Sequence, residues 1–137
     1  MQDSGKRIII DTYAWIEYFK GSSYGEKAKK FIEGNFLLFT PSIVIAELSD
    51  KYRRENINEW PVRKRFIKLK TKVLPLNEDV ADKSGEIKQE LKKIHKDASL
   101  ADAIILAYSK IMDADILTGD KHLKGQKNAI DSSVETL

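Results

Sequence analysis

Four short apolar runs, each set between segments of helical periodicity, restrict this chain more than any other feature of its sequence. Arg7–Ile10 (RIII), Phe36–Phe39 (FLLF), Val73–Leu76 and Ile116–Thr118 are too short for helices and read as strands, the first of them buried. Between them the pattern predicts helices over Thr12–Lys20, stopped by Gly21, and over Ser23–Glu33, followed by Gly34. A third helix lies in TPSIVIAELSDKYRRE, with Pro41 near its first turn, where proline is tolerated. Asn58 is the expected N-cap of a fourth helix running to about Thr71. Val80, Ala81, Ile87, Leu91 and Ile94 space a fifth, and Ser99–Met112 forms a strongly apolar sixth. A last short strand falls around Ala129 and Ile130. Short apolar strands joined by helices predict an α/β fold with a mainly parallel sheet. With no repeat, low-complexity segment or linker, residues 7–137 read as one domain behind a flexible tail of residues 1–6.

Composition narrows the chemistry. The 137 residues contain no cysteine, which excludes disulfides, thiolate nucleophiles and thiolate metal sites. His95 and His122 are the only imidazoles, too few for a multi-histidine zinc site. Lysine and arginine number 24 against 21 acids, a net charge of +3 that permits an acidic partner such as nucleic acid without requiring one. The start MQDSGKR lacks the apolar stretch of a signal peptide, and no apolar run approaches the length of a membrane span. The expectation is a soluble, cytoplasmic protein with no membrane partner.

Oxygen chemistry remains, and four acids stand out. Asp11 directly follows the RIII strand and precedes a helix, so it is an N-cap, a ligand at the carboxyl end of a parallel strand, or both. Glu47 follows Ile43 by four residues and Val44 by three, which sets it on the apolar stripe of its helix. A carboxylate buried there needs a cation, whether a metal or a side chain such as Arg53 or Arg54. Asp102 stands three residues after Ser99, the spacing of an acidic capping box, at the start of a helix apolar on nearly every side. Asp120 ends ILTGD, just past a strand, where it caps or turns the chain or binds a ligand.

Two of these acids follow strands and two lie early in helices. In a parallel sheet, strand ends and the following helix starts share one edge of the molecule. Four carboxylates gathered there would repel one another unless a cation sat between them. Oxygen donors alone select hard ions such as Mg²⁺ or Mn²⁺, which suit phosphodiester hydrolysis.

The segments IIIDTYAWIEYF, TPSIVIAEL, SLADAIILAYS and ILTGD, in this order and spacing, resemble the PIN-domain nucleases, and particularly the VapC-like toxins of toxin–antitoxin pairs. The resemblance spans roughly Arg7 to Asp131. It implies a three-layer α/β/α sandwich, a Mg²⁺ or Mn²⁺ site and endoribonuclease activity on RNA, with Asp11, Glu47, Asp102 and Asp120 on the family's acidic positions. Thr118 matches the hydroxyl residue two before the last acid, and Thr12 the small hydroxyl residue after the first. A homodimer and an inhibitory antitoxin partner are also implied. Two residues depart from the pattern: Tyr13 replaces a smaller polar residue, and Leu123 stands where an aromatic is common. Both bear on substrate preference and remove no ligand.

Arg63–Lys72 carries six basic residues with Phe66 among them, and reads as a solvated helix face whose contacts come from Phe66, Ile67 and Leu69, or else as an RNA-backbone contact. Trp15, Tyr18 and Phe19, at helical spacing, read as core or dimer contacts. GDKHLKGQK lacks the spacing of a phosphate loop. Asp97 and Asp115 need no role beyond solvation or capping. Rival functions are an inactive RNA-binding or scaffold module of the same fold, a phosphatase, and a nuclease for structured DNA.

Overall fold

In the computed structural model, which describes residues 5–119 and 129–131, RIII forms strand β1 (Arg7–Ile10). All three isoleucines are fully buried, so β1 is covered on both faces, the setting in which β-branched side chains favour a strand. The chain continues through α1 (Thr12–Lys20), α2 (Ser23–Ile32), β2 (Leu37–Pro41), α3 (Ser42–Arg54), α4 (Trp60–Lys70) and β3 (Lys72–Leu74). It then forms α5 (Glu78–Lys92), α6 (Leu100–Met112), β4 (Asp115–Thr118) and β5 (Ala129–Asp131). The five strands lie in the order β3-β2-β1-β4-β5, and every pairing is parallel. With its helical layers this is the expected α/β/α arrangement.

The strand order positions the site. From β1 the chain winds outward through β2 to β3, then returns to place β4 against the other side of β1. The direction of winding changes between β1 and β4, and a crevice opens at the carboxyl ends of strands at such a point. Residue 11 leaves β1 there, with its backbone N–H donating to the carbonyl of Leu117 in β4 at 3.3 Å.

A buried polar chain fixes α1 against the sheet. The Trp15 indole is fully buried, and its Nε1 donates to Thr40 Oγ1 at 3.2 Å. Thr40 Oγ1 pairs with Thr71 Oγ1 at 2.8 Å, and Thr71 Oγ1 donates to the Ile67 carbonyl at 2.9 Å. One consistent set of protons satisfies all three groups: Thr71 gives its hydrogen to Ile67 and so receives one from Thr40. Around the indole stand Tyr18, Phe19 and Phe66, each with its ring centroid 5.5–6.2 Å from that of Trp15. Burial, and then the hydrogen bond to Glu33 Oε2, push the Tyr18 hydroxyl well above the ordinary tyrosine range, so it stays a neutral donor.

The α1–α2 contact depends on one glycine. A Cβ built on Gly25 would stand 2.0 Å from the carbonyl oxygen of Glu17 and 2.7 Å from its carbon, both backbone atoms of α1. Those atoms cannot rotate away. Gly25→Ala is expected to cost about 1–3 kcal/mol, read as a lowered urea midpoint with an unchanged slope.

Several boundaries differ from expectation. Asn58 does not cap α4: the helix starts at Trp60 with Glu59 as its N-cap, Pro61 fits the first turn, and Trp60 is buried as the anchor. The third strand ends at Leu74, because Pro75 has no N–H for the ladder and Leu76 is exposed. The fifth helix stops at Lys92 and closes in a turn where Ile94 and His95 both donate to Leu91. Leu69 is 87% exposed and makes no core contact; two residues beyond buried Ile67, it falls near the opposite side of the helix. At the amino end, the Lys6 carbonyl accepts from Leu37 N at 3.0 Å and its Nζ pairs with Asp115 at 3.0 Å, so the chain is tied to the sheet from Lys6 onward. Among the described residues, no helix is long and apolar enough to cross a membrane.

Candidate active site

Each acid is delivered by its own element. Asp11, at the end of β1, is 2% exposed, and its Oδ1 accepts from Ala14 N at 2.7 Å as the N-cap of α1. Asp102, at the third position of α6, is 8% exposed. Its Oδ2 accepts from Ser99 N at 3.0 Å while its own N–H donates to Ser99 Oγ at 3.0 Å, the reciprocal pair expected from the spacing. Glu47, in the second turn of α3, is half-buried rather than sunk in the core, and its Oε1 accepts from Thr12 Oγ1 at 2.5 Å. The arginines proposed as its alternative partners are engaged elsewhere: Arg53 donates to Ser49, and Arg54 pairs with Asp50.

These three acids face one pocket. Asp11, Thr12, Tyr13, Ile16, Glu47, Asp102 and Ile105 line one pocket of about 210 Å³ at the switch point of the sheet. Thr118, fully buried, ends β4 on the same edge. Asp120 lies outside the described residues. The sequence reading missed Ile16 and Ile105 as lining residues. Ile16 is four residues from Thr12 and Ile105 three from Asp102, a helical spacing that could have located both.

Carboxylates gathered in one pocket repel one another and favour a cation between them. Among the described residues, no three side chains of the metal-binding types stand close enough together to hold an ion by themselves. Mg²⁺ does not need such a cage: it keeps several waters and is commonly held by one or two carboxylates together with substrate phosphates. Carboxylates and a hydroxyl, with no sulfur or imidazole among the lining residues, fit a hard divalent ion bound that way.

The model of the PIN domain family matches residues 8–127, which is most of the chain. The chain belongs to the PIN domain family. Solved structures agree on the PIN fold. A toxin–antitoxin complex from Klebsiella pneumoniae superposes with a TM-score of 0.72 at 22% identity, covering 91% of this chain and 97% of that one. VapBC2 from Rickettsia felis, bound to a DNA fragment from its promoter, gives 0.71 at 17% identity, covering 90% and 96%. VapC20 of Mycobacterium tuberculosis, a sarcin–ricin loop cleaving toxin, gives 0.71 at 16% identity, covering 94% and 99%. No curated protein matches the sequence. At these identities the likeness is one of fold, and within the PIN fold the acids of this chain must speak for themselves.

Proposed function

We propose that this PIN-domain protein is a Mg²⁺- or Mn²⁺-dependent endoribonuclease, the toxin of a toxin–antitoxin pair. The observation that carries the reading is the convergence of Asp11, Glu47 and Asp102, from three separate elements, on one pocket at the carboxyl edge of a parallel sheet. The toxin and toxin–antitoxin structures that share the fold support an RNA substrate and an antitoxin partner. A homodimer of single-domain chains, working in the cytoplasm, belongs to the same reading.

Asp11 and Asp102 are the residues to hold the ion, each already immobilised by its capping bond. The Thr12 hydroxyl fixes the rotamer of Glu47, which holds the ion or orients the attacking water. Asp120 is assigned as the fourth acid and Thr118 as the residue that orients this edge. When bound, a divalent ion polarises the phosphoryl oxygens, lowers the pKa of a water and stabilises the leaving oxygen. The capped carboxylates are aligned before substrate arrives, so little reorganisation is left for the reaction.

In-line attack by water that expels the 3′-oxygen leaves a 5′-phosphate and a 3′-hydroxyl, whereas attack by the RNA 2′-hydroxyl expels the 5′-oxygen and leaves a 2′,3′-cyclic phosphate and a 5′-hydroxyl. End analysis of RNA cut by the purified protein in Mn²⁺ is expected to find 5′-phosphates. Cyclic phosphates would overturn the mechanism, and retention of RNA without turnover would favour an inactive binding module. Competition with structured DNA and small phosphoesters separates the remaining rivals.

A further inference from the structure

The assigned chemistry uses the acids and hydroxyls of the pocket and leaves one large side chain without a task. Tyr13 is, among the described residues, the one aromatic lining the pocket, and neither holding an ion nor aligning a water needs an aromatic ring. It also stands where the resemblance leads one to expect a smaller polar residue.

The ring is held in place from two sides. Tyr24 of α2 meets it edge to face, with centroids 5.6 Å apart and planes at 89°. Along its Cδ1–Cε1 side lies Gly119, the residue after β4, where a Cβ would stand 2.4 Å from Cε1. A glycine at 119 is what lets the ring lie there. A ring already fixed loses little freedom when a ligand arrives.

The lining says what that ligand is. The pocket is partly open, so a phosphodiester reaching its acids brings the neighbouring bases up to the same lining residues. Besides the three acids the lining holds Thr12, Tyr13, Ile16 and Ile105, and of these only Tyr13 carries an aromatic ring. The other aromatics of α1 do not compete, because Trp15 is fully buried and Tyr18 and Phe19 pack against it and Phe66.

We propose that Tyr13, braced by Tyr24 and Gly119, is a stacking platform for an unpaired nucleobase beside the scissile phosphate. Only an unstacked base can lie on such a ring. The proposal rests on the nuclease reading above, and its test separates the two.

In the Asp102→Asn background, where RNA is expected to bind without turnover, a single-stranded oligoribonucleotide carries 2-aminopurine at successive positions. Fluorescence is expected to be quenched at one position, retained in Tyr13→Phe and lost in Tyr13→Ala. In the active protein, Tyr13→Ala is expected to raise KM about 5- to 100-fold with a smaller change in kcat. An abasic nucleotide at the quenched position should cost the wild type the same factor and cost Tyr13→Ala nothing. Should Tyr13→Ala fold poorly, Tyr13→Leu keeps the volume without the π face, and Gly119→Ala displaces the ring while leaving residue 13 intact. Both should raise KM. Unchanged KM and abasic sensitivity in an active Tyr13→Ala protein would sink the platform alone. If the wild type cuts no RNA, the nuclease reading fails, and the quenching pattern still decides the platform.

Discussion

Asp11→Asn is expected to lower RNA cleavage by about two to three orders of magnitude while leaving the thermal midpoint within a few degrees of wild type. The two effects separate because the residue has two tasks. As N-cap its Oδ1 accepts from Ala14 N, and an asparagine oxygen does this about as well as a carboxylate. The loss in stability is then limited to a helix-dipole contribution of about 0.3–1 kcal/mol. As an ion ligand the residue needs its charge, and a bound divalent ion contributes several kcal/mol of transition-state stabilisation. Calorimetry and initial rates on one preparation check both parts. Near-normal cleavage by a well-folded Asp11→Asn protein would reduce Asp11 to a cap.

Trp15→Ala should have the largest effect on stability. The indole is fully buried, and truncating a buried tryptophan costs about 3–5 kcal/mol. Part of that comes from Thr40 Oγ1, which would lose the donor that now satisfies it in the core. Trp15→Phe keeps most of the ring volume and forfeits mainly the hydrogen bond, so it should cost about 1–3 kcal/mol. Urea unfolding of both variants gives the two values. Equal losses would mean that the polar chain, and not the packing, anchors α1.

How legible the molecule is in its sequence depends on the range of the interaction involved. The RIII run, the Ser99–Asp102 box and the Gly21 stop are local patterns, and each stands as read: β1 is buried, both bonds of the box are present, and Gly21 closes α1 in a left-handed conformation at φ 68°. Glu47 was harder. Its place on an apolar stripe led to the expectation of a buried carboxylate, yet it is half-buried at a pocket wall and bonded to Thr12, thirty-five residues earlier in the chain. No periodicity within α3 carries that information. Gly25 against the backbone of Glu17, and Gly119 against Tyr13, belong to the same class: the sequence offers only a glycine, and the partner is set by the packing. The fourth acid, Asp120, falls outside the described residues.

That the acids serve one ion-assisted reaction is tested most directly with Asp102. End-labelled RNA is incubated with Mn²⁺ and either wild-type protein or Asp102→Asn, each with and without excess chelator. An asparagine oxygen can still accept from Ser99 N, so the capping box and the fold should survive, as circular dichroism would verify. The account predicts cleavage by the wild type in Mn²⁺, none with chelator, and a rate for Asp102→Asn at least about a hundredfold lower. Equal cleavage by both proteins, or cleavage that persists in chelator, would contradict it.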